Sequence, residues 1–323
     1  MNYPKNKLSI VLPVYNGGYN LERNLKNFEN ECNNIYFKNL IELSISDNCS
    51  TDGSEKIIKK YKKILEKKKF VKINLYKQKK NLGFAKNLMS SIKISNGEYL
   101  MPLCDDSLPQ KGFYKQLIDY LCNNPLKELG FVPVTSTKSF TKQMFNLNQL
   151  AYVVNRGSIL SGVILKNKKA NYKLFQENIY LHNLFYIDYY LKYGFKNIVL
   201  KSKIKIDIGL KQKIKDKFND RAGRKIDYGV LEKIKTIDFF YKKKRVNFIK
   251  FLFTITTIYA WSIEINILLQ KNNHFSLAKD YFRETLKYKN KKIIFLSFLI
   301  ILLKNLFSKK IFYILKLFIN LRK

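Results

Sequence analysis

Arginine, histidine and the acidic residues are scarce in this chain of 323 residues, and lysine is abundant. The sequence has 61 Lys and Arg against 24 Asp and Glu, a formal charge of +37, and only seven of the basic residues are Arg. A strong positive charge usually indicates polyanionic partners such as nucleic acid, anionic lipid or phosphorylated substrates. Proteins that read bases depend on Arg for bidentate contacts to guanine. We therefore expect no nucleic acid among the partners.

Paired cysteines are absent as well. None of the four cysteines stands in a CxxC pair, which argues against a zinc site and against a disulfide framework. The first apolar run begins within a few residues of the start, so we expect no targeting segment and a reducing, cytoplasmic compartment. The four cysteines are Cys32, Cys49, Cys104 and Cys122.

Long uncharged apolar runs are missing too. The run 293–303 has eleven residues before Lys304, whereas a spanning helix needs about 20. The stretch 251–269 carries Glu264 and several polar residues. The last segment, 291–323, is both apolar and rich in Lys, a pattern that favours a helix lying on an anionic membrane surface. The alternative is that these helices only cover each other and the main domain.

Apolar runs alternate with helical patterns along the first hundred residues. The predicted strands are 8–14, 40–47, 71–77 and 98–103, and the predicted helices between them are 19–31, 52–68 and 84–95. This alternation predicts an α/β fold with a doubly wound, mainly parallel sheet.

The second half of the chain is less regular. Further strands are expected within 130–134, 157–165 and 196–203, with a helix over 176–194 that ends at Gly194. Residues 211–225 form a polar stretch without strands, and everything after it looks helical. The length suffices for one large domain and an appendage. We therefore predict a catalytic domain over 1–210 and a basic, apolar helical extension over 211–323.

Polar residues gather where the predicted strands end, which is where doubly wound sheets bind ligands. Pro13, Tyr15 and Asn16 belong to the first such turn, although a plain strand-to-helix turn would explain them equally well. In the second turn Asp52 has the position of a helix cap. Asp47 ends a strand, where a cap has no purpose, so its carboxylate is available to a nucleobase N–H or a ribose hydroxyl.

The third turn contains two adjacent carboxylates, Asp105 and Asp106, in the stretch LCDDSL. Neighbouring carboxylates repel each other unless a cation or a substrate compensates. A divalent cation held by one or two carboxylates and by substrate phosphates is the usual arrangement for Mg²⁺, and Mn²⁺ suits the same ligands. The alternative is an exposed turn that caps the next helix.

Four blocks in this order resemble the amino-terminal half of family 2 glycosyltransferases, which have the GT-A fold. The blocks are SIVLPVYN, ISDNCSTDGS, NLGFAKN and GEYLMPLCDDSLPQKG, and the resemblance covers residues 7–125. It implies an inverting transferase that uses a nucleotide-diphosphate sugar and a divalent cation, Mn²⁺ or Mg²⁺. The donor-binding residues that it implies are Pro13, Tyr15, Asn16, Asp47, Asn48, Asp52, Asn81, Gly83, Asn87 and Asp105.

The sequence departs from the family at two places. Many members have Asp-x-Asp where this chain has Cys104-Asp105-Asp106, so the resemblance assigns the metal to Asp106. The family base is commonly a carboxylate on a late helix, about three turns before its end. Counting back from Gly194 gives His182, and the nearest acids are Glu177 and Asp188. These three are the candidates for the catalytic base. The segment at Ser161–Gly162 resembles the family's border of the acceptor pocket.

We therefore expect a glycosyltransferase acting on a glycan or lipid-linked glycan acceptor. It would work at the inner face of the cytoplasmic membrane, in the synthesis of surface polysaccharide or lipooligosaccharide. A nucleotidyltransferase would need a glycine-rich phosphate loop, for which YNGGYN is a poor candidate. A non-enzymatic polyanion-binding protein would leave the acids at the strand ends unexplained.

Overall fold

The computed structural model describes two compact units. One contains residues 1–138 and 159–213, and the other contains residues 139–158 and 214–323. The described residues are 7–134, 148–157, 159–167, 181–200, 204–207, 230–271 and 291–305.

A seven-stranded sheet forms the centre of the first unit. The described strands are β1 (Leu8–Val14), β2 (Ile41–Asp47), β3 (Lys72–Lys77), β4 (Tyr99–Pro102), β5 (Leu108–Pro109), β6 (Leu129–Phe131), β7 (Val163–Lys166), β8 (Phe195–Asn197) and β9 (Ile206–Asp207). The strand order is β3-β2-β1-β4-β7-β6-β8, and β7 is antiparallel to both of its neighbours. The other neighbouring pairs in this sheet are parallel. Strands β5 and β9 form a separate antiparallel pair. The predicted mainly parallel sheet is confirmed.

Strands β1 and β2, which the sequence predicted, are completely buried and end side by side. Every residue of both strands is buried, as expected for parallel strands that are covered on both faces. Their register pairs Leu8 with Ile41 and Val14 with Asp47, so both strands end at the same level. The turns that follow them therefore leave the sheet side by side.

The described helices are α1 (Gly18–Glu31), α2 (Ser54–Lys68), α3 (Phe84–Lys93), α4 (Phe113–Asn123), α5 (Gln149–Gly157), α6 (Leu181–Tyr193), α7 (Val230–Lys242), α8 (Phe248–Lys271) and α9 (Lys291–Asn305). Glycines with positive φ directly precede α2 and α3: Gly53 at 90° and Gly83 at 80°. Glycine enters this region without the steric penalty of a β-carbon. The chain can therefore turn sharply from strand end to helix start.

A buried polar cluster joins the strands at their amino ends. The Ser9 hydroxyl donates to Glu42 Oε1 at 2.6 Å, and the Gly97 N–H donates to Ser9 Oγ at 2.8 Å. A β-carbon on Gly97 would lie 2.5 Å from Ser9 Oγ and 2.6 Å from Ser9 N. Only glycine therefore fits beside β1 at this position.

Glu98 carries two lysine contacts at the same amino edge. Lys7 Nζ lies 2.9 Å from one carboxylate oxygen and Lys166 Nζ lies 3.8 Å from the other. Burial opposes ionisation of Glu98, but the hydrogen bond from Lys7 and the charges of both lysines lower its pKa. This ion pair therefore contributes stability above the unfolded carboxyl pKa.

Two predicted strands are shorter than expected. Residues 157–165 were predicted as one strand, but Gly157 ends α5 and β7 begins only at Val163. Gly162, with φ at 80°, interrupts the extended backbone. Of the predicted strand 196–203, β8 contains only 196 and 197, and 201–203 lie outside the described residues.

The predicted helix over 176–194 corresponds to α6 over its described part. This helix ends at Tyr193, and Gly194 follows with φ at 78°. Residues 176–180 lie outside the described part of the chain.

The second unit is helical in its described part, as predicted for the extension. Asn148 caps α5 by accepting from the Ala151 N–H at 3.0 Å, and its amide donates to Thr254 of α8 at 3.3 Å. The Thr256 hydroxyl donates to Ser297 of α9 at 3.2 Å. Among the helices that the structure describes, none combines the length and the apolar character that crossing a membrane requires.

Candidate active site

The turns after β1, β2 and β4 lie together at the carboxyl edge of the sheet. Backbone hydrogen bonds hold their first residues: the Asn48 N–H donates to Val14 O at 2.9 Å, and the Leu103 N–H donates to Val11 O at 2.9 Å. The structure thus brings together the three polar turns that the sequence singled out.

The first two turns are interlocked through side chains. The Asn16 N–H donates to Ser50 Oγ at 3.0 Å, and Asn16 Oδ1 accepts from the Thr51 N–H at 2.9 Å. Asn16 has φ at 51°, a left-handed conformation that Asn tolerates better than most residues. Its side chain therefore shapes the turn. Tyr15 beside it is 41% exposed, whereas Pro13 is buried within β1.

Asp47 has a carboxylate oxygen that lacks a partner. The side chain is 1% exposed, and Oδ1 accepts from the Ser50 N–H at 3.1 Å. Within the part of the chain that the structure describes, the buried Oδ2 has no hydrogen-bond donor. An unsatisfied buried acceptor is costly, and it is most costly when it is charged. Asp47 is therefore suited to a ligand that brings its own N–H or O–H.

Asp52 joins the second turn to the start of α2. Its Oδ1 accepts from the Ser54 N–H at 3.0 Å and from the Ser54 hydroxyl at 2.6 Å. The same hydroxyl oxygen accepts from the Gly17 N–H at 2.9 Å and from the Gly18 N–H at 3.1 Å. Asp52 thus supports the first turn through Ser54.

Asn48 and Asn81 form the turn before α3. Asn48 Nδ2 donates to Asn81 Oδ1 at 2.7 Å, and Asn48 Oδ1 accepts from the Leu82 N–H at 2.9 Å. Asn81 Oδ1 also accepts from the Gly83 N–H at 2.9 Å. These amides fix the backbone that borders Asp47.

Asn87 is buried beneath the same region. Its Nδ2 donates to Val14 O and to Ser46 O, both at 3.0 Å, and its Oδ1 accepts from the Ser46 hydroxyl at 2.7 Å. Both amide hydrogens are engaged within the protein. Asn87 therefore holds the ends of β1 and β2 at the spacing that the site requires.

Two residues that sequence reasoning did not assign to the acidic turn hold it in place. The Cys104 N–H donates to Ser161 Oγ at 2.9 Å, and the Ser161 hydroxyl donates to Ser107 Oγ at 2.7 Å. Asn24 Nδ2 donates to Ser107 O at 2.8 Å and to Cys104 O at 3.2 Å. The resemblance predicts Ser161 at the border of the acceptor pocket, and nothing in the sequence of α1 marks Asn24.

Asp105 lies against the first turn. A β-carbon on Gly17 would come within 2.8 Å of Asp105 Oδ2, so the carboxylate approaches the backbone closely there. Asp105 and Asp106 are both partly exposed. The described residues contain no cluster of three or more metal-binding side chains. One or two carboxylates completed by diphosphate oxygens do not need such a cluster, so the acidic turn fits a divalent cation that arrives with the donor.

Helix α6 runs from the carboxyl edge towards the amino edge of the sheet. Because β7 is antiparallel to both β4 and β6, β6 and β8 run in the direction of β4. Gly194, after the helix, leads directly into β8, and the Leu129 N–H at the start of β6 donates to Gly194 O at 3.1 Å. The first described turn of α6 is therefore the end nearest the acidic turn.

The three candidate bases have different places. Glu177 lies outside the described residues. His182 belongs to the first described turn of α6, where the structure describes the backbone only. Asp188 lies about 9 Å farther along the helix axis, towards the amino edge. Its carboxylate forms an ion pair with Lys192 Nζ at 2.8 Å.

Comparison with known proteins supplies the family. The model of glycosyl transferase family 2 matches residues 9–183, more than half of the chain. No curated protein matches the sequence. S. aureus TarS 1–349, solved in complex with UDP-GlcNAc, has a TM-score of 0.58 at 14% identity over 85% of this chain and 80% of that chain. The mannosyltransferase PcManGT from Pyrobaculum calidifontis, solved with GDP-Man and Mn²⁺, has a TM-score of 0.50 at 14% identity over 94% and 88%. This chain belongs to glycosyl transferase family 2 and is a glycosyltransferase with the GT-A fold.

Proposed function

We propose that the enzyme transfers a sugar from a nucleoside diphosphate donor to a hydroxyl of a glycan or lipid-linked glycan, with inversion at the anomeric carbon. The pathway that we propose is the synthesis of surface polysaccharide or lipooligosaccharide. The buried, unpartnered Oδ2 of Asp47 is the observation that carries the donor assignment. The bound UDP-GlcNAc of TarS and the bound GDP-Man of PcManGT support the same class of donor.

The proposed donor pocket lies between the first two turns. Uracil and guanine each have a ring N–H that can donate a hydrogen bond to Asp47 Oδ2. Oδ1 keeps its hydrogen bond from the Ser50 N–H. The exposed ring of Tyr15 offers an apolar surface at the same edge. Asn16, Asn48 and Asn81 then act by fixing the backbone around the base and the ribose.

The acidic turn is the proposed place of the diphosphate. Asp106 would hold Mn²⁺ or Mg²⁺, and Asp105 would contact the nucleotide sugar beside it. The cation would supply positive charge to the diphosphate as it leaves. The Ser161 and Asn24 hydrogen bonds keep the backbone of this turn fixed. The backbone that bears the two carboxylates is thereby preorganised for that contact.

In the proposed reaction an acceptor hydroxyl attacks the anomeric carbon on the side opposite the diphosphate. The new carbon–oxygen bond forms as the bond to the diphosphate breaks, and that electron pair leaves with the diphosphate. A base takes the hydroxyl proton. Among the three candidates we propose His182, because Asp188 is paired with Lys192 and lies towards the other edge of the sheet. An imidazole accepts a proton near neutral pH.

We also propose that residues 1–210 are the catalytic domain and residues 211–323 an extension that binds the anionic inner face of the cytoplasmic membrane. The supporting observation is helix α9, where Phe295 is 71% exposed and Leu296 and Leu299 are also exposed. Lys291 and Lys292 are exposed on the same helix. Exposed apolar side chains beside lysines are typical of interfacial helices.

Vesicle binding tests the membrane proposal on the full chain. The variant Phe295→Ser/Leu299→Ser should bind vesicles of phosphatidylglycerol more weakly than the wild type, and vesicles of phosphatidylcholine should bind both poorly. Equal binding of both proteins to phosphatidylglycerol would remove α9 from the membrane contact.

Calorimetry with UDP and GDP tests the donor site. Nucleotide should bind the wild type more tightly with Mn²⁺ than without it. In Asp106→Ala, Mn²⁺ should no longer increase the affinity for nucleotide. Turnover of the matching nucleotide sugar should release the nucleoside diphosphate and not pyrophosphate, which separates glycosyl transfer from nucleotidyl transfer. If neither nucleotide bound, and oligonucleotides bound in a strongly salt-sensitive manner, the polyanion-binding alternative would replace this proposal.

A further inference from the structure

The end of α7 and the turn after it expose four consecutive basic residues, 242–245. Backbone hydrogen bonds fix this turn: the Lys244 N–H donates to Tyr241 O at 2.8 Å, and the Arg245 N–H donates to Phe240 O at 2.9 Å. Lys244 has φ at 54°, a left-handed conformation in which glycine is usual at the end of a helix. A fixed stretch of backbone therefore carries a run of cationic side chains at the surface.

Helix α8, which follows this turn, is apolar on two opposite sides. Phe251 and Ile255 are completely buried on the inner side. On the outer side Ile249 is 79% exposed and Phe253 is 50% exposed, and their spacing of four residues places them next to each other on one face. Lys250, at the edge of that face, is exposed as well. A helix whose outer side faced only water would have polar side chains at these positions.

The charge of the turn decides between two possible occupants of this surface. A second copy of the chain in a symmetric contact would bring two identical basic turns together. The formal charge of +37 on each copy adds to that repulsion. An anionic phospholipid bilayer, in contrast, supplies phosphates to the cations and an apolar boundary to the exposed side chains. The bilayer therefore complements both parts of the surface.

We infer that residues 242–245, Ile249 and Phe253 form a second membrane-binding surface, which we call the α8 surface. The basic side chains contact lipid phosphates, and Ile249 and Phe253 enter the boundary between headgroups and acyl chains. Helix α8 contacts α9 through Thr256 and Ser297, so the α8 surface and the exposed face of α9 belong to the same helical unit. This inference rests on the proposed membrane attachment and assigns anionic phospholipid to a surface that does not include α9.

Co-sedimentation of the full chain with phosphatidylglycerol vesicles tests the two parts of the α8 surface separately. Ile249→Gln/Phe253→Gln should lower the partition coefficient about 10-fold or more, because two apolar contacts with the bilayer are lost. Lys243→Gln/Lys244→Gln should lower it about 30-fold at low ionic strength, at roughly fivefold for each charge. The second difference from the wild type should shrink as salt screens the charges.

The matched control for the charge is Lys63→Gln/Lys67→Gln, which removes two exposed lysines from α2 in the first unit. This control should bind the vesicles within threefold of the wild type. Wild-type binding by either variant of the α8 surface would overturn the inference. A loss in the control equal to that of Lys243→Gln/Lys244→Gln would show that net charge alone drives binding, and would overturn it too.

Thermal unfolding without lipid shows whether protein covers the α8 surface. Glutamine forms helix better than isoleucine or phenylalanine does, so Ile249→Gln/Phe253→Gln should leave the melting temperature unchanged or higher. A fall of more than about 5 °C would show that the two side chains pack against protein, and would overturn the inference. A wild-type dimer that this variant dissociates would assign the surface to a second copy of the chain and would also overturn it.

Tryptophan fluorescence reports insertion directly. Trp261 is the only tryptophan of the chain, so Phe253→Trp in a Trp261→Phe background has a single fluorophore, on the α8 surface. On phosphatidylglycerol vesicles its emission should shift to shorter wavelength and should be quenched by lipids brominated on their acyl chains. Ile35→Trp in the same background replaces a 67% exposed residue of the first unit and should show neither effect. No quenching at position 253, or equal quenching at both positions, would overturn the inference.

The same vesicles separate this inference from the proposed attachment through α9. If Phe295→Ser/Leu299→Ser bound like the wild type and the variants of the α8 surface did not, the α9 contact would fail and the inference would stand. The reverse result would overturn the inference and leave the α9 contact in place. If the wild type did not bind phosphatidylglycerol vesicles, both would fail, whereas the donor site would still be judged by UDP and GDP binding.

Discussion

Replacement of Asp47 by Asn removes one acceptor from the proposed donor pocket and changes little else. The aspartate has two oxygens, and Oδ1 already accepts from the Ser50 N–H at 3.1 Å. Oδ2 is the buried oxygen without a donor in the described structure. An asparagine offers a single oxygen, which cannot serve both Ser50 and a nucleobase. Its NH₂ group would meet the N–H of the base as donor against donor.

The expected loss of nucleotide affinity follows from the hydrogen bond to Asp47 Oδ2 that is lost. A hydrogen bond to a buried charged group contributes about 1.5–3 kcal/mol, so the dissociation constant of the preferred nucleotide should rise roughly 10- to 150-fold. The melting temperature of the free protein should not fall, because the substitution also removes a buried charge that lacks a full set of donors.

Calorimetric titration at one Mn²⁺ concentration measures the nucleotide dissociation constants of the wild type and of Asp47→Asn. Asp52→Asn is the matched control, since it removes one charge from the same turn while its remaining oxygen can still accept from Ser54. We expect less than a twofold change for this control. An Asp47→Asn dissociation constant within twofold of the wild type would refute the role of Oδ2. An equal loss in both variants would indicate long-range charge and not a direct contact.

Three further substitutions test the supports of the site. Ser161→Ala leaves the Cys104 N–H without its acceptor, so nucleotide affinity with Mn²⁺ should drop about 3- to 10-fold, with a smaller drop without the metal. Gly97→Ala drives a β-carbon into Ser9 and should destabilise the fold by about 3 kcal/mol or more in chemical denaturation, while nucleotide affinity of the folded fraction stays unchanged. Glu98 has a lowered pKa in the folded state, so its stabilisation is present above the unfolded carboxyl pKa and is lost as the pH falls through the folded value. Glu98→Gln should therefore lower the melting temperature at neutral pH and make its decline below pH 5 less steep.

The first half of the fold could be predicted because burial leaves a direct trace in the sequence. Strand β1 is covered on both faces, and its sequence is an almost continuous apolar run. Strand β2 alternates apolar residues with buried polar ones, and helix α1 between the two strands buries one face. The prediction of one strand over 157–165 was wrong because burial there depends on a contact that is distant in the sequence. The residues of this stretch suit a strand, but the hydroxyl of Ser161 serves Cys104, a partner 57 positions away that no local pattern reveals.

In the candidate site too, the sequence predicted where residues lie better than it predicted what each residue contacts. The sequence placed Asp47, Asn48 and the acidic turn at strand ends correctly. It could not show that the amide of Asn87 is already bonded to Val14 and Ser46, because those contacts depend on how α3 packs over two strands. It also gave no sign of Asn24, whose role depends on the approach of α1 to the acidic turn.

At the carboxyl ends of β1 and β2, hydrogen bonding separates the supporting residue Asn87 from Asp47, the proposed binding residue. Asn87 has both amide hydrogens and its oxygen engaged, so a ligand could reach it only by breaking bonds that hold β1 and β2 together. Asp47 has one oxygen engaged and the other without a donor in the described structure. A fold tolerates an unsatisfied group when a ligand completes its hydrogen bonds. The same group then lowers the stability of the free protein and raises its affinity for the ligand. Asp47→Asn, the substitution that should weaken nucleotide binding most, should therefore not destabilise the unliganded enzyme.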